Sequence, residues 1–134
     1  MILNLVLIFA VALGSYSAVV TRVVDGDTVN GVVTIWIDQR VTTSIRVRGI
    51  DTPELKGACD SERALAQMAK SQVENLLPAG STITISNIGP DAYQGRIDAD
   101  VTMADGRKLA DVLIGEGLAR AYDGKTKRRG WCPR

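Results

Sequence analysis

Three short runs rich in β-branched and apolar residues follow one another at the start of the chain, and their spacing limits the fold more than any other feature. The runs are Ala18 to Val29, Val32 to Ile37 and Val41 to Ile50. Only two or three residues separate each run from the next, which is too short for a crossover helix and suits tight turns between antiparallel strands. The sequence therefore predicts an antiparallel meander of three strands.

After Pro53 the apolar residues recur at three- and four-residue spacing, which is the period of a helix with one buried face. Either Asp60 or Ser61 is placed to cap the start of this stretch, and Pro78 ends it. The sequence predicts one amphipathic helix here, with a buried face made of Leu65, Met68, Ala69, Val73, Leu76 and Leu77.

Two further strands and a second helix are predicted in the second half of the chain. Ser81 to Ile88 and Arg96 to Met103 have strand character. A short amphipathic helix is predicted around Leu109, Val112 and Leu113, ended by Gly115 and Gly117. Five strands in so small a sheet leave exposed edges unless the sheet closes on itself. The predicted fold is therefore α+β and mainly β, a closed or nearly closed five-stranded barrel flanked by two or three helices.

Residues 1–17 begin with an apolar run and end near the small residues Ser15 and Ser17, a pattern that an export peptidase could cut before Ala18. We interpret this segment as a signal peptide that precedes a single domain of residues 18–134, so the protein is expected to be secreted or periplasmic. An uncleaved membrane anchor is the alternative, because no Lys or Arg precedes the run and few polar groups interrupt it.

The charged residues are distributed unevenly. The net charge is only +1, but residues 120–134 hold six Lys or Arg against one Asp. This basic end could bind a polyanion, or it could be a solvated tail that aids solubility. The chain contains no histidine, which excludes His-based triads, imidazole general bases and most zinc sites.

Two acidic turns lie at strand ends, one at Asp25 to Thr28 and one at Asp51 to Glu54. Carboxylate and carbonyl oxygens are the ligands that Ca²⁺ and Mg²⁺ prefer. Brought side by side, the turns would offer a divalent cation the carboxylates of Asp27 and Asp51 and the carbonyl of Thr52. Glu54 lies close enough in sequence to share the site and to orient or deprotonate a water.

Arg46 and Arg96 complete this set, because a planar guanidinium can bind two phosphate oxygens at once. A phosphodiester resists hydrolysis since its anionic oxygens repel a nucleophile, and a catalyst must neutralise that charge and hold the phosphorus in place. Together the acidic turns and the arginines predict a metal-dependent phosphodiesterase.

The order and spacing of these motifs resemble the staphylococcal nuclease (thermonuclease) family over roughly residues 19–122. The most specific part is Ile50-Asp-Thr-Pro-Glu54 shortly after Arg46, combined with Asp25-Gly-Asp-Thr-Val29 upstream. Further matches are Ile45-Arg46, Asp91 to Arg96, Ala104-Asp-Gly106 and Gly117-Leu-Ala119.

The resemblance implies an oligonucleotide-binding (OB) type barrel, one Ca²⁺ ion, and hydrolysis of DNA and RNA that leaves 3′-phosphates. By position it implies that Asp27, Asp51 and the Thr52 carbonyl bind calcium and that Glu54 acts on the water. It further implies that the catalytic arginines, Arg46 and Arg96, stabilise the charged transition state. The resemblance implies no protein partner, and a monomer is expected.

Two local features differ from the family pattern. The loop before Arg96 reads Tyr93-Gln-Gly-Arg96, which is one residue longer than the usual Tyr-Gly-Arg. The lysine-rich loop that usually follows the Asp-Thr-Pro-Glu motif is reduced to Lys56 and Gly57, which predicts a weaker grip on long nucleic acid.

The chain has two cysteines, Cys59 and Cys132. In an oxidising compartment they are expected to pair and to tie the basic end beside the first helix, with about 4 kcal/mol of stabilisation in the chain-entropy treatment. Two other functions are compatible with the sequence. One is a catalytically inactive OB-fold module that binds nucleic acid or peptide, and the other is a phosphodiesterase that acts on other substrates.

Overall fold

The structure is a computed structural model that describes residues 14–134, so most of the predicted signal peptide lies outside the described residues. Tyr16 and Ser17, its last part, belong to the first strand. In residues 14–134 no helix is long and apolar enough to cross a membrane. The elements are β1 (Tyr16–Asp25), β2 (Thr28–Trp36), β3 (Gln39–Val47), β4 (Ile50–Asp51), α1 (Asp60–Leu76), β5 (Thr82–Pro90), β6 (Arg96–Met103), α2 (Leu109–Gly115) and β7 (Arg120–Ala121).

Five strands form a closed barrel in the order β1-β2-β3-β6-β5, which confirms the predicted fold class. β1, β2 and β3 pair antiparallel as predicted. The break predicted at Gly31 is wrong in position, because the first turn lies at Gly26 and Asp27 and Gly31 lies within β2. β5 pairs antiparallel with β1 and with β6, while β3 and β6 run parallel. The parallel pair is possible because α1 and β5 lie between β3 and β6 in the chain.

The barrel interior is filled by the alternate residues of each strand, among them Ile45, Ile83 and Ile85, which are fully buried. α1 covers one side of the barrel and contributes Ala69 and Val73 to the same core. The N–H of Val47 at the end of β3 donates to the carbonyl of Asp27, with 2.8 Å between the two atoms. This bond fixes the β1–β2 turn against the end of β3, so the two acidic turns lie at one end of the barrel.

The third strand is shorter than predicted. β3 ends at Val47 instead of Ile50, because Gly49 takes a positive φ of 82° that turns the chain. Ile50 and Asp51 then pair with Ala121 and Arg120 as a separate two-stranded sheet. This pairing carries the second acidic turn out of the barrel and places it beside the C-terminal end of the chain.

The predicted cap of the first helix is also wrong in position. The N-cap residue of α1 is Cys59, which makes no side-chain capping bond, and Asp60 is the first helical residue. Asp60 and Glu62 still stabilise the start of α1, because negative charges in the first turn offset the helix dipole. α2 forms around the predicted residues and ends at Gly115, as predicted.

Candidate active site

The two acidic turns, one barrel strand and the loop before β6 enclose a cleft of about 450 Å³. Five of the six predicted site residues line it: Asp27, Arg46, Thr52, Glu54 and Arg96. Asp51 does not line the cleft itself. Its carboxylate contacts Arg128, and Arg128 lines the cleft. The other lining residues are Asp25, Pro53, Leu55, Lys56 and Tyr93.

The first acidic turn is fixed by its own hydrogen bonds. The N–H of Asp27 donates to Oδ1 of Asp25 at 3.1 Å, and the hydroxyl of Thr28 donates to Oδ1 of Asp27 at 2.8 Å. Gly26 allows the turn to pack closely on α1, since a Cβ on Gly26 would lie 2.9 Å from that of Ala69. The Asp27 carboxylate is therefore held at the edge of the cleft.

Asp25 and Asp27 concentrate negative charge in this turn. Burial, and then the neighbouring Asp27 carboxylate, raise the pKa of Asp25 from 3.8 to about 6. The part of this shift that comes from Asp27 reflects repulsion between two carboxylates, which a bound cation would offset.

The second acidic turn is organised by Glu62, a residue that the sequence analysis did not single out. Its buried carboxylate accepts hydrogen bonds from the backbone N–H of Glu54 at 3.1 Å and of Ala58 at 3.2 Å. Gly57 makes room for this carboxylate, since a Cβ there would lie 2.5 Å from Cδ of Glu62. A sequence signal did exist, because Glu62 is the third residue of α1, where a side chain can reach back to preceding backbone N–H groups.

Arg46 bridges the two turns from the barrel side. Its Nη2 lies 3.6 Å from Oδ2 of Asp27 and donates to the carbonyl of Ile50 at 3.2 Å. The side chain is mostly buried, with 21% exposed. The guanidinium is thus oriented by backbone and carboxylate together and lines the cleft.

Arg96 faces the cleft from the loop before β6. Its Nη2 pairs with Oδ1 of Asp91 at 2.9 Å, and its guanidinium stacks 4.7 Å from the ring centroid of Tyr93. Burial opposes the ionised form of Asp91, but hydrogen bonds from Arg96 and the Tyr93 N–H outweigh it and hold the pKa of Asp91 well below 3.8. Burial and the Asp91 carboxyl raise the pKa of Asp98. Tyr93 lines the cleft and is 69% exposed.

Asp51 is almost completely buried, with 5% of its side chain exposed. Its Oδ2 accepts a hydrogen bond from Nε1 of Trp131 at 3.1 Å, and its Oδ1 forms an ion pair with Nη2 of Arg128. Both carboxylate oxygens of Asp51 are therefore engaged by side chains of the described part of the chain, Oδ1 by Arg128 and Oδ2 by Trp131.

Arg128 and Trp131 belong to the C-terminal tail, defined as residues 122–134, and the sequence analysis assigned neither to the site. A disulfide between Cys59 and Cys132 ties the tail to the start of α1, as predicted. Trp131 also stacks under Arg120, with the guanidinium carbon 3.7 Å from the ring centroid. In the sequence, the signals that this segment could belong to the site were its positive charge and its cysteine, Cys132. In the structure, the guanidinium of Arg128 lies in the acidic site.

The donor atoms fit a hard divalent cation. Asp27, Asp51 and Thr52 offer carboxylate and carbonyl oxygens, and the guanidinium of Arg128 already places positive charge on two of these residues. Within residues 14–134 the compact group of potential side-chain ligands is instead Cys59, Glu62 and Cys132, whose ligand atoms lie within 4.8 Å of one another. The two sulfurs are bonded to each other, so this group offers no thiolate to a metal.

Comparison with protein families gives a match over most of the chain. The family model described as "Staphylococcal nuclease homologue" matches residues 44–130, which is 87 of the 134 residues. The matched range runs from β3 into the tail and contains Arg46, Asp51, Glu54 and Arg96, while Asp27 lies before it. A search of the curated proteins found no similar sequence.

Proposed function

Because the chain belongs to the family of staphylococcal nuclease homologues, we propose that it is a calcium-dependent nuclease that hydrolyses phosphodiester bonds of DNA and RNA and leaves 3′-phosphates. The observation that carries the proposal is the cleft itself. It combines the oxygen ligands of Asp27 and Thr52, the carboxylate of Glu54 and two guanidinium groups in a space of about 450 Å³.

Asp27, Asp51 and the Thr52 carbonyl would hold the calcium ion. A bound divalent cation supplies positive charge that offsets the phosphate oxygens and favours the approach of a nucleophilic water. The neighbouring carboxylates of Asp25 and Asp27 at the cleft support this assignment, as does the buried carboxylate of Asp51, whose counter-charge in this structure is Arg128.

Glu54 is the proposed general base. Its side chain is 57% exposed and borders the cleft, where a carboxylate can accept a proton from water. Its backbone N–H is fixed by Glu62, which limits the movement of the whole residue. As water adds to phosphorus, Glu54 accepts its proton and the bond to the 5′ oxygen breaks. The leaving 5′ oxygen takes a proton from solvent water, and the phosphate stays on the 3′ oxygen.

Arg46 and Arg96 are the proposed catalytic arginines, which would bind the phosphate from two sides. Asp27 and the Ile50 carbonyl orient Arg46, and Asp91 orients Arg96. Prepositioned guanidinium groups stabilise the charge that builds on the phosphate oxygens without reorganising during the reaction. The exposed Tyr93 ring beside Arg96 could stack against a base, in a way that does not depend on sequence.

The test is cleavage of plasmid DNA, single-stranded DNA and RNA in Ca²⁺ or in chelator, with end analysis for 3′-phosphates. Wild type should cleave only with Ca²⁺, and Glu54→Gln and Arg96→Ala should each be slower by about 10²- to 10⁴-fold. Glu74→Gln is the matched control, since Glu74 is an exposed glutamate on α1. Cleavage that persists at full rate in Glu54→Gln would contradict the assignment of the base.

A catalytically inactive nucleic-acid-binding module is the second candidate function. The observation in its favour is that Arg128 occupies Asp51 and Glu54 in this structure. That function predicts nucleic-acid binding that survives chelation, without cleavage by any variant.

We also propose that the protein acts as a monomer outside the cytoplasm, secreted or periplasmic. The disulfide between Cys59 and Cys132 supports export, because such bonds persist mainly in oxidising compartments. Fractionation of expressing cells, with the mass of the recovered chain, tests export and cleavage before Ala18. A chain found only in the membrane fraction at full mass would favour the anchor.

A further inference from the structure

We propose that Arg128 sets the cation affinity of the site, because its guanidinium occupies oxygens that the cation needs and must leave before the cation binds. This inference rests on the proposed function. It assigns to the C-terminal tail a role in the chemistry of the cleft, beyond that of a basic extension or a tether.

The contacts of Arg128 coincide with the second acidic turn. Its Nη1 donates to Oε1 of Glu54 at 2.7 Å, and its Nη2 forms an ion pair with Oδ1 of Asp51. The same Nη2 lies 3.5 Å from the carbonyl oxygen of Thr52. One side chain thus contacts both predicted cation ligands of this turn and the proposed base.

The guanidinium of Arg128 and a divalent cation cannot both occupy the oxygens of Asp51, because the two positive groups repel each other. The Asp51 carboxylate is almost completely buried, and a buried charge without a counter-ion is strongly unfavourable. Arg128 supplies the counter-charge in this structure. A divalent cation on the same oxygens would supply more charge and would repel the guanidinium, so one group must displace the other.

The tail stays near the site when Arg128 moves, because other contacts hold it. The disulfide ties Cys132 to Cys59, the Trp131 indole donates to Oδ2 of Asp51, and Arg120 donates to the Gly130 carbonyl at 3.0 Å. A tethered guanidinium has a high effective concentration and competes with the cation more strongly than a free one would. Once displaced, Arg128 remains at the edge of the cleft that it lines.

Neighbouring charges allow a matched control. Arg129 follows directly in the tail and is exposed, and its backbone carbonyl accepts a hydrogen bond from Nη1 of Arg120 at 3.4 Å. Arg128→Ala and Arg129→Ala remove the same charge from the same segment. Only the first removes the competing contacts, so the difference between them measures competition and not net charge.

The experiment is calorimetric titration of Ca²⁺ into the full-length oxidised chain and both variants. We expect Arg128→Ala to bind Ca²⁺ about 10- to 100-fold more tightly than wild type, which is the range for losing a charge-assisted pair that the cation would otherwise have to break. Arg129→Ala should stay within about 2-fold of wild type, since an exposed charge contributes little.

Thermal melting provides a second readout in the same samples. Without Ca²⁺, Arg128→Ala should melt at a lower temperature than wild type, because Asp51 loses its counter-charge. With saturating Ca²⁺ the difference should shrink, since bound ligand stabilises the folded state. A residue that only supports the fold would lower the melting temperature equally in both conditions.

The outcomes separate the inference from the proposed function. If wild type binds Ca²⁺ and Arg128→Ala binds it equally or more weakly, the inference about Arg128 is wrong and the calcium site stands. If both arginine variants gain affinity equally, the effect is one of net charge and the inference is again wrong. If neither wild type nor Arg128→Ala binds Ca²⁺, the calcium-dependent function fails, and the inference fails with it.

Discussion

Replacement of Glu62 by glutamine tests the claim that one buried carboxylate organises the second acidic turn. Glu62 is 7% exposed, and its two oxygens accept the N–H groups of Glu54 and Ala58 at 3.1 and 3.2 Å. Glutamine keeps the shape of the side chain but offers one acceptor oxygen and one NH₂ donor. One of the two N–H groups would then face a donor instead of an acceptor.

The size of the effect follows from these two bonds. A hydrogen bond to a charged group contributes about 1.5–3 kcal/mol, and a buried donor left unpaired costs about 1–3 kcal/mol. Glu62→Gln loses one such bond and the charge on the other, so we expect a loss of about 2–3 kcal/mol in the free energy of unfolding. The displaced backbone of Glu54 should also lower the turnover rate.

Urea denaturation followed by tryptophan fluorescence measures the stability change, and single-stranded DNA cleavage at saturating Ca²⁺ measures turnover. Trp131 is a suitable probe because it lies against Asp51 and Arg120. Glu74→Gln on the exposed side of α1 is the control and should change stability by less than about 0.5 kcal/mol. A Glu62→Gln protein as stable as this control would refute the reasoning.

Three further predictions concern Gly57, which lies against Glu62, the hydrophobic core, and the dependence of stability on pH. Gly57→Ala should lower the free energy of unfolding by about 1–3 kcal/mol in urea titrations, because the added Cβ would meet the Glu62 carboxylate. Gly115→Ala is the control and should be nearly neutral, because a Cβ at Gly115 would have no atom within 4 Å. Leu113→Ala removes a fully buried side chain of α2 and should cost about 2–5 kcal/mol in the same assay. The pKa of Asp91 is lower in the folded protein than its ordinary value of 3.8, so ionised Asp91 stabilises the folded state above pH 3.8 and this contribution is lost as the pH falls below it. The urea midpoint should therefore drop less between about pH 5 and pH 3 in Asp91→Asn than in wild type.

Local patterns in the sequence were enough to predict most of the secondary structure. β6 begins and ends at the predicted residues, and α1 and α2 form where the apolar residues recur. Met68, predicted to lie on the buried face of α1, is instead 60% exposed. The predictions of these elements are correct because the periods of strands and helices depend on residues only a few positions apart. The site motifs are local for the same reason, since each acidic turn lies within four consecutive residues.

Only the tertiary structure decided how these local pieces meet. The parallel pairing of β3 with β6, the detachment of Ile50 and Asp51 onto β7, and the bond from Glu54 to Glu62 depend on packing of the folded chain. Arg128 reaches Glu54 across 74 positions of sequence. No periodicity in the chain encodes that approach, because it depends on barrel closure and on the disulfide that holds the tail. The sequence by itself thus determined which residues carry charge and metal-binding oxygens, and the fold decided that a guanidinium from the opposite end of the chain shares those oxygens.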